Sequence, residues 1–561
     1  ERAQCEHINH RPEVARQYFG VSLEHAKTEL EKARIHLMQL SLYGSQDDYR
    51  GAIEEGLAGL RCLGFNLSLR PHKLLILLEF LKEKWHRQGR AVKPLLDHLP
   101  QSEHPEHQLI FQLLSGIIPF ASFESPGLNV MVNVKGVNLL YRRGITPDAA
   151  YILMTFAATL VAIRQYPLAS EYAQKALELS QDQTPNRRLM THFIYAGYVN
   201  HWYQPLRTSI PYFEQCLKLA LETGNWNYAA MTMSTQLQVL YGVGMELSVF
   251  EEQAQKIHAL LEQVNDPLKA LAYCKLCLAW ATGLMGEQGH EKALSDALEQ
   301  AIRETQNPAF LYGIYISSSF YALIFGNFDQ SAAYLQGARK NLFAVVGVHN
   351  STDYFFLNML IVLGGKTDPG GIELNGRQHT RMKKDLQKLQ VWARQCPENY
   401  AHKYLLAAAE MARIEGHREQ AADLYDQSID AARRNGFMQH HALACEWTAR
   451  FYLQQKKPEF AEIYLRKAQY LFGQWGAHAK VRQMEEKYHL FLGKSALMVS
   501  SPLGTVSDTH GTTAPDRNTR MMDLEVLDLA TVMKASQAIS GEIVLERLLE
   551  KYPQWLGRLS L

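Results

Sequence analysis

Residues 400–434 read YAHKYLLAAAEMARIEGHREQAADLYDQSIDAARR, and residues 442–472 read ALACEWTARFYLQQKKPEFAEIYLRKAQYLF. Each segment holds two helical patterns separated by a break. The second helices repeat small and apolar residues at the i, i+4 and i+7 positions of one face; these are Ala421, Tyr425 and Ser428, then Ala461, Leu465 and Ala468. One such pair cannot bury its apolar face, whereas stacked copies can. The stretch Pro397–Tyr488 therefore predicts an all-α fold, a tetratricopeptide (TPR)-like α-solenoid of stacked helix pairs.

The same spacing continues through the middle of the chain. An uncharged helix is expected over Ala149–Ile163, and its partner is expected to begin at Pro167. Later second helices are expected at intervals of about 38 to 43 residues, which suits two-helix repeats; their predicted starts lie near Thr208, Ser248, Glu291 and Asp329. No clear alternating strand pattern accompanies them, so the array is predicted to be entirely helical.

The flanks of the array are less regular. Helices are expected over Ser22–Leu40, Asp47–Cys62 and Leu74–Trp85, whereas Ser495–Arg520 is too rich in Ser, Thr, Gly and Pro to support a core. The sequence predicts six segments: an N-terminal helical region (1–145), TPR-like repeats (146–346), an irregular insertion with a helix (347–396), C-terminal TPR-like repeats (397–492), a flexible linker (493–520) and a junction helix (521–551).

Composition restricts the possible function. The 561 residues carry a net charge of +1 and no block of five basic residues, which disfavours nucleic-acid binding. Seven scattered cysteines and no visible signal peptide suit a reducing compartment and predict a cytoplasmic location. The uncharged segment Asn307–Phe328 is too rich in serine, glycine and tyrosine for a membrane span, so a buried repeat helix is expected there. The first residue, Glu1, suggests a piece of a longer protein.

Several stretches are more specific than generic repeat spacing. They are Val391–Tyr400 (VWARQCPENY), Ala407–Gly416 (AAAEMARIEG), Ala442–Tyr452 (ALACEWTARFY), Trp475–Val481 (WGAHAKV) and Asp523–Leu549. The segments His201–Leu206 and Asn133–Tyr141 fit the same pattern. Together they resemble the helical middle region of the large multidomain bacterial sensor kinases. In that family a serine/threonine-kinase-like domain and a STAND/AAA-type ATPase precede the helical region, and a GAF sensor and a histidine kinase follow it.

The resemblance covers most of residues 20–550 and implies a role in signalling. It identifies residues 523–549 with the helix that joins the helical region to GAF. The family's catalytic parts lie outside this chain, which gives Tyr552-Pro553-Gln554-Trp555 where the family continues into GAF. The resemblance therefore implies no catalytic residue here.

No complete catalytic or metal-binding motif occurs in the sequence. Gly365-Lys366-Thr367 ends like a phosphate-binding loop, but position 360 is Leu360, where that motif needs glycine. Cys274 and Cys277 have the spacing of zinc ligands without a second pair, and a buried helix is the more natural place for them. The kinase catalytic sequences HRD and DFG are absent. We therefore expect no enzymatic activity, no cofactor and no metal.

Four aromatic residues form the candidate binding site. Tyr195, His201, Trp202 and Tyr203 could line a groove on the solenoid, where repeat proteins bind partners. Aromatic residues at helical spacing are also typical of a core, so both interpretations stay open.

The sequence thus predicts a non-catalytic scaffold or sensor region of a multidomain signal-transduction kinase. Its partners would be another protein or flanking domains of the same polypeptide, and it would relay a signal to a downstream sensor or kinase module. The alternative is a stand-alone TPR-like interaction module, or the ligand-sensing solenoid of a STAND-type ATPase regulator.

Overall fold

The computed structural model of this protein describes residues 2–8, 11–46, 48–263, 270–286, 290–305, 307–365 and 374–492. These residues form α-helices joined by short connections, with a few short 3-10 or π turns and no β-strand among them. The predicted all-α fold is confirmed for this part of the chain. The predicted linker (493–520) and junction helix (521–551) lie outside the described residues.

Eight of the described helices precede the repeats. They are α1 (Arg2–Ile8), α2 (Pro12–His25), α3 (Glu29–Ser45), α4 (Tyr49–Cys62), α5 (Lys73–Arg87), α6 (Val92–Asp97), α7 (Pro105–Glu124) and α8 (Pro126–Arg143). Helix α3 packs on α4, and both pack on α7. Helix α5 packs on α8 and contains the predicted apolar helix Leu74–Trp85.

The prediction of a single helix over Ser22–Leu40 is wrong, because a short non-helical segment separates α2 from α3. Thr28 is the N-cap of α3: its side chain accepts a hydrogen bond from the backbone N–H of Glu31, and the Glu31 carboxylate accepts one from the backbone N–H of Thr28. This reciprocal capping box satisfies two N–H groups that a helix start otherwise leaves unpaired. Thr followed three residues later by Glu was the local signal for this boundary.

Five successive helix pairs follow. They are α9 (Ala149–Ala162) with α10 (Tyr166–Ser180), α11 (Pro185–Ile194) with α12 (Ile210–Glu222), α13 (Trp226–Gly242) with α14 (Leu247–Gln263), α15 (Ala270–Met285) with α16 (His290–Glu304), and α17 (Pro308–Ile324) with α18 (Phe328–Asn341). The second helices from α12 onward begin within two residues of the predicted starts. The repeat spacing read from the sequence is confirmed.

The remaining described helices are α19 (Asp353–Gly364), α20 (Gly376–Gln395), α21 (Pro397–Ile414), α22 (Arg418–Arg434), α23 (Met438–Gln454), α24 (Pro458–Trp475), α25 (His478–Lys487) and α26 (His489–Leu492). From α9 to α25 each helix packs on the next one along the chain, within a pair and between pairs. Such nearest-neighbour stacking defines an α-solenoid. The structure is a TPR-like array of stacked helix pairs.

Two residue types set the turns inside the pairs. Gly326 ends α17 with φ of 74°, a left-handed conformation that glycine adopts without steric cost. Asn327 follows, and its side-chain oxygen accepts the backbone N–H of Gln330 as the N-cap of α18. Gly416, with φ of 83°, makes the same left-handed turn between α21 and α22.

The C-terminal repeats form hydrogen bonds with the C-terminal ends of earlier helices. Side chains of α23 and α25 donate to backbone carbonyls that no helical N–H satisfies: Gln439 Nε2 to Gly242 O (2.8 Å), Arg482 Nη2 to Gly286 O (3.0 Å) and Gln483 Nε2 to Phe325 O (2.8 Å). Partners separated by roughly 160 to 200 positions are thereby joined, so the repeats hold one another beyond nearest neighbours.

A close helix contact gives a prediction. A Cβ added at Gly364 would lie 2.0 Å from Cη2 of Trp447, whereas one added at Gly473 meets nothing within 4 Å. Gly364→Ala is therefore expected to destabilise the fold by about 1–3 kcal/mol through overpacking. Gly473→Ala, inside α24, should be neutral or stabilise by up to ~1 kcal/mol. Chemical denaturation of both variants tests this, and equal effects would refute it.

The apolar segment predicted as a buried repeat helix is α17, whose residues are mostly buried. Among the described residues, no helix is both long and apolar enough to span a bilayer.

Candidate functional site

The four aromatic residues singled out from the sequence lie on an irregular connector between α11 and α12. Tyr195 begins a π-helical turn that ends at Val199, and a 3-10 turn runs from Asn200 to Trp202. Departures of this kind from α-helical geometry often mark functional or strained positions. His201 and Trp202 are buried, whereas Tyr195 and Tyr203 are half-buried.

His201 and Trp202 hold the connector to the segment before α19. Trp202 Nε1 donates to the carbonyl oxygen of Gly347 at 3.0 Å, and His201 Nε2 lies 3.0 Å from the same oxygen. The Trp202 ring also packs on Tyr400, with ring centres 5.1 Å apart. These two side chains are inaccessible to a partner in this structure, so a groove here could use only Tyr195 and Tyr203. The partner groove stays a prediction.

A larger concavity, which the sequence did not reveal, lies where α18, α19 and α20 meet the end of α9. We call it the basic cleft. It encloses about 760 Å³ and is lined by five cations (Arg164, Arg339, Arg381, Lys384 and Lys388) together with Leu342, Tyr354, Phe355, Asp385, Gln387 and Val391. Its size falls in the range of ordinary ligand pockets.

Aromatic rings and one carboxylate order the floor of the basic cleft. Arg381 Nη2 donates to the Tyr354 hydroxyl at 3.1 Å, and Lys388 Nζ lies 4.2 Å from the centre of the Phe355 ring. The buried Asp385 carboxylate accepts from Asn358 Nδ2 at 3.0 Å and lies 3.6 Å from Lys388 Nζ. These two contacts hold the Asp385 carboxylate in the wall of the cleft.

The other cations of the basic cleft have no carboxylate partner. Among the described residues, no Asp or Glu oxygen lies within 4.0 Å of a side-chain nitrogen of Arg164, Arg339, Arg381 or Lys384, and all four are exposed. Like charges gathered in a concave surface raise the local concentration of anions. The cleft can therefore bind a negatively charged group over an apolar floor.

The sequence hides this site for two reasons. The cations come from positions as far apart as Arg164 and Lys388, and the net charge of +1 leaves no overall excess to reveal them. The local signal was the α20 segment Arg381–Lys388, which holds four cations and one acid without reaching five consecutive basic residues.

A second, much smaller cavity lies between α13, α17, α19 and α23. It has a volume of about 40 Å³ and is lined by polar groups that include Gln238, His349, Asn350, Gln439 and His440. The buried Asn350 Oδ1 and His349 Nδ1 have no protein partner. Since one water needs roughly 10–15 Å³ of such volume, the cavity suits two or three bridging waters rather than a ligand.

Two buried histidines, His349 and His440, line this small cavity, and His402 contacts the second of them. Burial lowers the pKa of His349 to about 3, and the Lys403 ammonium acts in the same direction. Burial lowers the pKa of His402 and of His440 well below the ordinary value, and His402 Nε2 lies 3.0 Å from His440 Nδ1. These histidines are neutral at pH 7 and belong to the core.

The other chemically interesting residues do not assemble a reactive site. Cys274 and Cys277 are both buried in α15, and burial raises the pKa of the Cys277 thiol well above its ordinary value. Of the phosphate-loop fragment, Gly365 follows α19, whereas Lys366 and Thr367 lie outside the described residues. Within the described ranges, no three His, Cys, Asp or Glu side chains meet in an arrangement able to hold a metal ion.

Comparisons with known proteins add little to this geometry. No protein-family model matches the chain, and no curated protein matches it. Among solved structures, the crystal structure of yeast Tom70 is similar over 98% of this chain and 97% of its own, with 12% identity and a TM-score of 0.27. A circular tandem repeat protein with novel repeat topology matches 84% of this chain and 98% of its own, with 14% identity and a TM-score of 0.13. Both TM-scores are too low to support a conclusion about the fold, which is assigned from the helix pairs of this chain.

Proposed function

We propose that this chain is a helical-repeat scaffold without catalysis of its own, and that the basic cleft binds an acidic segment of a protein partner. The observation that carries the proposal is the set of four exposed cations that have no carboxylate partner among the described residues and line one cleft together with Tyr354 and Phe355. Carboxylates of the partner would pair with the cations, and an apolar side chain would contact the rings. Such charge complementarity gives specificity and speeds association.

The finer proposal places this scaffold in a signal-transduction kinase. It is supported by the resemblance of Val391–Tyr400 and Asp523–Leu549 to the helical region of multidomain sensor kinases. Partner binding in the cleft would bias the packing of α18, α19 and α20, and residues 522–549 would relay that change to a downstream sensor or kinase module. Deletion of residues 522–549 from an intact parent kinase would leave its regulation unchanged if the relay were wrong.

The second candidate is a stand-alone interaction module, or a ligand-sensing solenoid in a STAND-type regulator. Such a module would bind its partner or ligand in the basic cleft but would not regulate a kinase. The coding sequence on either side of this chain separates the two: kinase and GAF sequences support the relay, and their absence supports the stand-alone scaffold.

Charge reversal in the cleft is expected to weaken binding of an acidic peptide. The probe is a fluorescein-labelled peptide of fifteen residues, rich in Asp and Glu with two aromatic residues. Arg339→Glu with Lys384→Glu should weaken its binding roughly thirtyfold to a thousandfold, since each reversal replaces attraction by repulsion worth about 1–2 kcal/mol near a protein surface. Fluorescence anisotropy measures the dissociation constant, which should rise with salt.

Matched controls isolate the cleft. Lys218→Glu with Lys256→Glu makes the same change in net charge at two exposed lysines outside the cleft and should leave binding unchanged. A peptide with Asn and Gln in place of the acids should not bind. Equal loss in both double variants, or tighter binding of a single-stranded oligonucleotide than of the peptide, would overturn the proposal.

A further inference from the structure

Helix α5 turns its leucines toward solvent. Its exposed apolar side chains are Leu74, Leu75, Leu77, Leu78, Leu81 and Trp85, with exposures between 43% and 68%. They are six of the 17 large apolar side chains exposed in the described part of the chain. Together they present on the order of 500 Å² of apolar surface, as much as the largest patch on a typical monomer, and such patches mark interaction sites.

The orientation of α5 is fixed from its inner face. Asn138 Nδ2 donates at 2.9 Å to both the carboxylate and the backbone carbonyl of Glu79. Glu83 Oε1 accepts from the Tyr172 hydroxyl at 2.6 Å and from Arg87 Nε at 3.1 Å. Rotation of the helix to bury the leucines would break the hydrogen bonds of Glu79 to Asn138 and of Glu83 to Tyr172, which is costly for buried carboxylates. The outward apolar face is therefore a stable property of the free chain.

The spacing on this face indicates what kind of surface covers it. Leu74, Leu78, Leu81 and Trp85 follow one another at intervals of four, three and four residues. This is the spacing of the seam along which one α-helix packs against another in a coiled coil. The complementary surface is therefore a helix with its own apolar seam.

The charges beside the seam specify the partner further. Lys82 and Lys84 flank the C-terminal half of the seam and are exposed. Lys82 Nζ lies 2.7 Å from Glu79 Oε1, whereas Lys84 has no carboxylate within 4.0 Å among the described residues. Because both glutamates of α5 are turned inward, the outer face carries only positive charge. A second copy of α5 would bring lysines and leucines but no carboxylate to these positions, so the charges favour a different, acidic helix.

We propose that the outer face of α5 is a docking site for an amphipathic helix of a protein partner. That helix would place leucine-like residues against Leu78, Leu81 and Trp85 and carboxylates against Lys82 and Lys84. The site shares no residue with the basic cleft and takes a different ligand, a preformed helix rather than an extended acidic segment.

The test uses the full chain and two designed peptides of three heptads. Both have leucine at positions a and d; one has glutamate at e and g, and the other has lysine there. The glutamate peptide should bind with a dissociation constant on the order of 1–10 µM, and the lysine peptide at least roughly tenfold more weakly. Leu78→Glu with Leu81→Glu should weaken the glutamate peptide at least a hundredfold, since both side chains lie in the centre of the contact.

Control variants distinguish peptide binding at α5 from binding in the basic cleft. Leu221→Glu with Tyr470→Glu changes two exposed apolar side chains outside α5 and should leave peptide binding unchanged, as should Arg339→Glu with Lys384→Glu. The thermal midpoint of the α5 variant should match that of the parent chain, because Leu78 and Leu81 are exposed. Loss of binding in the cleft variant alone would overturn the assignment to α5.

Three further outcomes would also overturn the proposal. The first is equal binding of the two peptides. The second is dimerisation of the free chain that Leu78→Glu with Leu81→Glu abolishes, which would make a second copy the occupant. The third is α5-dependent binding to vesicles of phosphatidylcholine and phosphatidylserine without binding to the glutamate peptide, which would make the face a membrane contact.

Discussion

Lowering the pH from about 7.5 to 5.5 is expected to remove most of this protein's folding stability, because its buried histidines accept protons only when it unfolds. An unfolded chain binds a proton at each histidine near pH 6.5. Burial lowers the pKa of five histidines most strongly in the native state. The pKa falls to about 3 for His349, to about 4 for His441, and well below the ordinary value for His201, His402 and His440.

The direction of the effect follows from this difference. Below pH 6.5 the unfolded state binds more protons than the native state, so stability is fully present above that pH and falls as the pH drops. Each histidine contributes a slope of up to about 1.4 kcal/mol per pH unit until its native pKa is reached. By pH 5.5, about one unit below the unfolded-state pKa, five together remove up to about 7 kcal/mol, which is most of the stability of a domain near the lower end of the usual range of about 5–15 kcal/mol.

Urea denaturation at several pH values measures this slope. His441→Asn should reduce it by about 1.4 kcal/mol per pH unit, because one proton-uptake site is removed, whatever the variant does to stability at pH 7.5. His25→Asn, a substitution at an exposed histidine, is the matched control. A denaturation midpoint that stays constant from pH 7.5 to 5.5 would show that the histidines are not held neutral.

The sequence predicts the repeat array well because its signals are local. Glycines such as Gly326 and Gly416 end helices wherever the turn needs a left-handed residue, and the apolar periodicity resumes a fixed distance later. The second helices of the pairs therefore begin within two residues of expectation. The boundary at Thr28 was missed although its capping box was equally local.

The candidate surfaces could not be predicted in the same way. The basic cleft needs Arg164 and Arg339 beside α20, and no local pattern states that these distant positions meet. In α5 the leucines predicted an apolar helix, but Glu79 and Glu83 take its inner face because Asn138 and Tyr172 supply partners for them. Which face of an amphipathic helix is buried depends on such tertiary partners.

Replacing Asn399 by aspartate is expected to destabilise the fold more than replacing it by alanine. The buried Asn399 amide nitrogen donates to the carbonyls of His201 (2.7 Å) and Gln204 (2.8 Å), and its oxygen accepts the backbone N–H of Leu206 at 2.8 Å. Asn399→Ala leaves the Leu206 N–H and the His201 carbonyl without this partner and should cost roughly 2–4 kcal/mol. The Gln204 carbonyl would keep only the weak Cys396 thiol donor. Asn399→Asp keeps the acceptor, but it sets a buried negative charge against two carbonyl oxygens, so roughly 4 kcal/mol or more is expected.

The contrast with Asn327 makes this prediction specific to the donated hydrogen bonds. Asn327 caps α18 with its oxygen, a role that aspartate fulfils equally well, so Asn327→Asp should change stability by less than about 1 kcal/mol. Denaturation midpoints of the three variants at pH 7.5 provide the comparison. If Asn399→Asp were as stable as Asn399→Ala, the amide would not be acting as a donor to the connector at residues 201–204. The Asn399 oxygen, which accepts the Leu206 N–H, and the packing of Trp202 on Tyr400 would then account for the contact between α21 and that connector.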